Sequence, residues 1–226
     1  MGQNQKGGAM TDKRVGALLG AIVFFMGMTR GVQVFGADCG EPVPAPKYNV
    51  GDKWVSRDER GAETNQEVVG FERDLAQIRW TDPRWEPDGK GMILVDPDGV
   101  IRKAIRPNGE VVTKQGKGRP FELIGQRELG FPLVVGKTWS FDYISYRANE
   151  TASQHYKVEA CEEVSTAAGK FSALRIEREI RFQRGRYTTQ SWYAPAVKNI
   201  VKWQFPGGRG FGGTSLDSEL VRYELK

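Results

Sequence analysis

From Phe171 to Gln183 the chain alternates in steps of two, and that period limits what it can fold into. Leu174, Ile176, Ile180 and Phe182 fall at even positions, whereas Arg175, Glu177, Glu179, Arg181 and Gln183 fall at odd ones. Successive side chains of a strand point to opposite faces, so the aliphatic set shares one face of a sheet and the charged set the other. Upstream, Val158 to Val164 reads as a strand that reaches a turn at Ala168-Gly169. Downstream, Trp192-Tyr193 closes a strand that breaks at Pro195, and a further strand runs to Phe205. The stretch predicts a half-buried antiparallel sheet with Arg175 and Glu177 on its outer face. It contains no recognisable catalytic set.

The same reading extends over the chain. Pro87-Asp88-Gly89, Pro97-Asp98-Gly99 and Pro107-Asn108-Gly109 recur at a spacing of 10. Pro presets φ at the first corner of a turn and Gly supplies positive φ, so these are hairpin turns. Between them lie short strands over Met92–Val95, Val100–Ile105 and Glu110–Thr113, a β-meander. Val50-Gly51-Asp52-Lys53-Trp54 returns as Val135-Gly136-Lys137-Thr138-Trp139, each followed by a polar interval and a Val-containing segment. Two readings stand. One is an internal duplication of halves 48–120 and 121–226; the other, slightly preferred, is a common way to start a strand and bury a Trp. The final strand is Glu219–Leu225, and outside the N-terminal segment no run of 12 residues shows helical periodicity. The expected fold is mainly β: a curved antiparallel sheet or incomplete β-barrel, one domain over residues 48–226.

Residues 1–37 are set apart from that domain. Lys6, Lys13 and Arg14 precede the uncharged apolar run Val15–Met28, and small residues follow at Gly36 and Ala37. Basic head, apolar core and small-residue exit form the pattern of a secretory signal. The apolar run has 14 residues, short of the ~20 that span a bilayer as a helix. The segment is therefore read as a cleaved signal peptide, with an uncleaved inner-membrane anchor as the alternative; either places the domain in the periplasm or outside the cell. Cys39 follows Asp38 rather than small residues, so acylation is not expected. The alternating prolines of Glu41–Lys47 make residues 38–47 an extended spacer. Removing residues 1–37 takes away Lys6, Lys13, Arg14, Arg30 and Asp12 and lowers the formal net charge from +5 to +2. A nearly neutral domain offers no field to draw nucleic acid. Export permits oxidation of Cys39 and Cys161. A bridge between them would close a loop of more than a hundred residues, worth roughly 4–5 kcal/mol; two unrelated thiols is the equal alternative.

Several motifs that suggest chemistry dissolve on inspection. Gly136-Lys137-Thr138 lacks the four-residue spacing of a phosphate loop and leads into a strand where that loop needs a helix. His155 is the chain's one histidine, which excludes multi-histidine metal sites, and no nucleophile-elbow sequence accompanies it. The acids of Asp82–Asp88 and Asp96–Asp98 lack the calcium-loop order and suit turns. Asn149-Glu150-Thr151 fits a glycosylation acceptor only in a cell with that machinery. Arg209-Gly210-Phe211-Gly212-Gly213 is a single Gly-Arg segment that a flexible loop explains. No cofactor is expected, and a carboxylate-dependent hydrolase ranks last because no carboxylate pair can be named.

The six tryptophans, Trp54, Trp80, Trp85, Trp139, Trp192 and Trp203, serve first as core, and some could line an apolar groove. The series Pro132-Leu133-x-x-Gly136-x-x-Trp139, Ala168-Gly169-Lys170-Phe171-x-Ala173-Leu174-x-Ile176, Trp192-Tyr193-Ala194-Pro195 and Glu219-Leu220-x-x-Tyr223 resembles a group of exported bacterial domains of unknown function. It departs from them after the Ala-Pro turn, where Lys198-Asn199-Ile200-Val201-Lys202 stands. The resemblance implies a curved sheet similar to the lipoprotein-carrier folds of the bacterial envelope, which hold acyl chains in a concavity. The expected function is therefore a non-catalytic envelope domain that takes an apolar or amphiphilic ligand such as a lipid. Its expected lining is Leu174, Ile176, Ile180 and Phe182 with Trp139, Trp192 and Trp203. The alternative is an envelope assembly module that meets a protein partner through sheet edges or the Gly-rich loop 206–213.

Overall fold

The computed structural model describes residues 40–81, 90–115, 124–145, 150–183, 185–206 and 217–226. The leader 1–37, Cys39, Trp85, the Pro87-Asp88-Gly89 turn, Asn149 of the glycosylation sequon and the loop Gly207–Gly213 lie outside these residues. Among the described residues twelve strands make one antiparallel sheet: β1 (Lys53–Asp58), β2 (Glu63–Glu72), β3 (Leu75–Thr81), β4 (Lys90–Val95), β5 (Ile101–Ile105), β6 (Val111–Val112), β7 (Thr138–Ser145), β8 (Glu150–Thr166), β9 (Gly169–Phe182), β10 (Gly185–Ala194), β11 (Asn199–Gln204) and β12 (Ser218–Glu224). Their order across the sheet is β6-β5-β4-β3-β2-β1-β12-β11-β10-β9-β8-β7. The first and last strands thus pair at the centre, and β6 and β7, neighbours in the chain, stand at opposite edges. The sheet is not closed into a barrel.

The hairpin turns have the chemistry the sequence predicts. At both Pro97-Asp98-Gly99 and Pro107-Asn108-Gly109 the Gly has positive φ, +81° and +84°. In each, the Gly N–H donates to the residue before the Pro, Asp96 O or Arg106 O, at 2.9 Å. The two Val-Gly-x-x-Trp segments also match bond for bond. Gly51 N–H donates to Val68 O and Gly136 N–H to Val158 O, both at 2.8 Å; Val68 N–H donates back to Asp52 O and Val158 N–H to Lys137 O, both at 2.9 Å. Each turn opens an antiparallel pair, β1 with β2 and β7 with β8. The repeated signature is therefore a repeated piece of structure.

The sheet is strongly curved. A flat sheet would hold β9 and β12 about 14 Å apart, three strand spacings. Instead Ala168 N–H, in the β8–β9 turn, donates to Leu220 O of β12 at 3.1 Å. The rings of Phe171 and Tyr223 meet at 5.9 Å, and Asn199 of β11 reaches Gln66 of β2 at 2.8 Å. Register shifts at Val55/Ser56, Val68/Gly70, Leu94/Val95, Val158/Ala160 and Trp192/Tyr193 supply the bends, since a bulge kinks its strand and raises its twist.

Curvature yields two apolar clusters. The larger joins Trp54, Val68, Ile78, Ile93, Ile101 and Leu220 to Val164, Phe171, Ala173 and Trp192. The smaller joins Leu133, Tyr156, Val158, Leu174, Ile176 and Tyr193. Ala173 and Leu174 are both fully buried, one in each. Here the sequence expectation needs correction: at Ala173 and Leu174 β9 buries both of its faces, and the alternation of buried aliphatic and charged residues begins only at Arg175. A 3-10 turn, Pro195–Val197, replaces the expected break; its Val197 O accepts the Trp54 indole N–H at 2.7 Å. The Pro-rich segment before the domain is pinned where Val43 and Leu133 exchange backbone hydrogen bonds of 2.7 and 2.8 Å.

Candidate functional site

The strand register fixes which expected site residues share a face. Cross-strand partners place Trp203, Ser191, Ile176 and Val158 in one row. The next row is Thr189, Arg178, Tyr156 and Trp139, followed by Tyr187, Ile180, Gln154 and Phe141. Leu174, with Cys161 and Tyr193, lies one row beyond Ile176. So Leu174, Ile176, Ile180, Phe182, Trp139 and Trp203 are brought together on one face of β7–β11, as the alternation implies.

Trp192 is not with them. Its partners are Arg175 and Lys202, which places it on the opposite face. There its indole N–H donates to Glu162 at 2.7 Å, and the Lys202 ammonium lies 5.5 Å from its ring centre. One position in β10 decides this: the ring is in phase with Thr188 and Gln190, not with Thr189 and Ser191.

Leu174 and Ile176 are 1% exposed and packed in the smaller core cluster with Leu133, Val158 and Tyr193. They serve the fold. Beyond them the face changes character. Ile180, Gln154, Thr189 and Ala152 form a buried floor, and Trp139, Phe141, Phe182, Tyr187 and Trp203 stand half-buried around it. Trp139 stacks on Tyr156 at 4.9 Å and 10°, Phe141 stacks on the same ring at 5.7 Å, and Phe182 stacks on Tyr187 at 5.8 Å. The Trp139 indole N–H is satisfied by Arg127 O at 3.1 Å.

Arg178 stands in the middle of this face, at an even position among the aliphatic residues. Its Nε donates to the buried Thr189 Oγ1 at 3.1 Å, and its guanidinium carbon sits 5.1 Å from the centre of the Trp203 ring. Burial disfavours its charge, but the phenol oxygens of Tyr156 and Tyr187 and the Glu128 carboxylate outweigh this and hold its pKa above the ordinary value. Burial likewise drives the Tyr156 phenol upward, against the pull of Arg178, so the phenol is neutral and donates to Gln154 Oε1 at 2.6 Å. Sequence reasoning passed over Arg178. The available signal was a cation standing in the apolar phase of a clean alternation.

The opposite face is ionic. Ser140, His155 and Glu179 fall in one cross-strand row, the residue types of a charge relay. No hydrogen bond links them among the described residues. Glu179 is instead hydrogen-bonded by Arg181, which lowers its pKa. No group of three metal-ligating residues occurs among the described residues. A small cleft of about 230 Å³, lined by Arg57, Asp58, Lys202, Trp203, Asp217 and Glu219 among others, is below the ~300 Å³ at which ligand pockets begin. Cys161 is disulfide-bonded, with Ser172 Oγ 3.7 Å from its sulfur; Cys39 is outside the described residues.

No family model matches this chain, and no curated protein sequence matches it. Solved structures resemble it at a distance. The hypothetical lipoprotein YmcC from Escherichia coli is similar with 14% identity over 82% of this chain and 90% of that one, at a TM-score of 0.41. A candidate lipoprotein from Parabacteroides distasonis shows 14% identity over 81% of this chain and 100% of its own, at 0.39. A candidate exported protein with a YmcC-like fold from Bacteroides fragilis shows 15% identity over 81% and 100%, at 0.37. None of these three is named as a lipoprotein carrier. With TM-scores below 0.5, the likeness is too distant to carry location, ligand or activity to this chain.

Proposed function

We propose that this chain is a non-catalytic domain of the bacterial envelope that binds an amphiphilic ligand on the Arg178 face of β7–β11. Export is supported by the basic, apolar and small-residue pattern of residues 1–37 and by the disulfide at Cys161, since disulfides persist in oxidising compartments. Binding rests on one observation: five large aromatic side chains, Trp139, Phe141, Phe182, Tyr187 and Trp203, stay half-buried around one floor. Trp54 is buried to 2% exposure, whereas these five rings keep part of their surface in solvent. Rings left half in solvent around a common centre suit a ligand with an apolar body and a polar end.

The test uses quenching. Amphiphiles with brominated acyl chains are titrated into the purified full chain below their micelle concentrations, and Trp emission is recorded. Saturable quenching that weakens in Trp139→Leu and Trp203→Leu is expected. Absence of saturable quenching by neutral and anionic amphiphiles alike overturns the reading.

A further inference from the structure

Arg178 is a cation without a matching anion. Among the described residues no carboxylate lies within ion-pair distance of it, although another part-buried cation, Lys198, is paired with Asp52 at 2.8 Å. Glu128 contributes to the field at Arg178 but makes no ion pair with it. What the guanidinium has is neutral: the Thr189 hydroxyl on Nε, the Tyr156 phenol and the Trp203 ring. A guanidinium carries five N–H donors in a planar fork. Thr189 engages Nε, at the rear of the fork, and Trp203 lies 5.1 Å from its carbon, an arrangement that fixes orientation without neutralising charge. Two oxygens in one plane are the natural partner of such a fork, as in a carboxylate or phosphate.

We infer that Arg178 is the headgroup site of the amphiphile-binding face, and that the ligand's polar end is an oxyanion, a carboxylate or a phosphate ester. The inference rests on the amphiphile reading and deepens it. Thr189 and Trp203 act as positioning residues for the guanidinium. The half-buried rings of Phe141, Tyr187 and Phe182 lie on the Ile180 side of Arg178 and receive the start of the acyl chain. Arg178 held only for the fold would give no preference among headgroups.

The experiment compares three ligands with the same chain on the full-length protein: brominated monoolein, brominated oleate and the corresponding alkyl phosphate. At least one anionic ligand binds about ten-fold more tightly than the neutral one, the size expected for a charge-assisted, two-oxygen contact; the tighter of the two names the source of the oxyanion. In Arg178→Gln the preference for the anionic ligand disappears, and Arg178→Lys restores part of it. Equal affinity for all three in the wild-type chain overturns the headgroup site and leaves the amphiphile reading standing. This comparison needs no variant, so it decides the question even if Arg178→Gln fails to fold. No binding of any of the three overturns the amphiphile reading itself, and the headgroup site with it.

Discussion

One interior charge and one interior aliphatic residue show how single side chains hold this domain together. Asp52, 0% exposed, has all its partners. It receives Lys198 Nζ at 2.8 Å, the Lys226 N–H at 2.8 Å and the Asn49 N–H at 2.9 Å, and so ties the start of β1, the β10–β11 turn and the end of β12 to one carboxylate. Burial alone would raise its pKa, but these donors and the Lys198 charge hold it lowered. A carboxyl with a lowered folded pKa contributes stability that is complete above its unfolded value, about 4, and lost as the pH falls through the folded value. Asp52→Asn should therefore unfold at about 2–4 kcal/mol less free energy at neutral pH, with the gap narrowing in acid below about pH 4. Urea titrations of both proteins across pH measure it; a gap independent of pH would refute the assignment. Leu174 is the apolar counterpart. Leu174→Ala should cost about 2–5 kcal/mol and leave headgroup preference unchanged, because Leu174 packs two rows from Arg178 in the Leu133 cluster.

Among the elements, the paired Val-Gly-x-x-Trp turns offer an internal control. Gly51 and Gly136 hold φ of +93° and +90°, and a Cβ at Gly136 would meet nothing within 4 Å. Gly136→Ala should cost about 1–2 kcal/mol of backbone strain alone, seen as a lower thermal midpoint with ligand binding intact. Gly130 is the contrasting case. A Cβ there would lie 2.7 Å from the Trp139 ring, so Gly130→Ala must move that ring and break its stack on Tyr156. The expected result is weakened amphiphile binding, read by quenching, without a comparable loss at Gly136→Ala. The outer edge of β7 needs protection of another kind. Thr138, Ser140 and Asp142 are exposed along it, and polar or charged residues on an edge discourage pairing with another chain.

For the molecule as a whole, the consequential pairing is β1 with β12, six residue pairs at the centre of the sheet. It joins one meander, β1–β6, to the other, β7–β12, and the larger cluster then draws residues from both. The described domain should unfold as one unit, with far-UV dichroism and Trp fluorescence giving coincident denaturant transitions. Truncation before Ser218 removes β12, exposes the edges of β1 and β11 together and uncovers Trp54. Loss of the cooperative transition is expected; two separable transitions in the intact chain would contradict the shared core.

The strands, their turns and much of their facing were readable along the chain, because period-two alternation and Pro-x-Gly turns are local consequences of backbone geometry. Leu174, Ile176 and Ile180 were placed on one face from spacing alone. Three things were not local. Trp192 went to the opposite face because the register of β10 against β9 is set by pairing, and a tryptophan reads the same on either side. Phe171 and Ala173 became core because the curved sheet brings the β8–β9 turn onto β12, a contact between residues about fifty positions apart. Arg178 became a candidate site because neighbouring strands set Thr189, Tyr156 and Trp203 around it, and no property of residue 178 by itself announces those neighbours. Sequence determined a β-sheet with a long alternating strand in it. Tertiary structure decided which of that strand's side chains pack into the core and which, as Arg178 does, stand among Thr189 and Trp203.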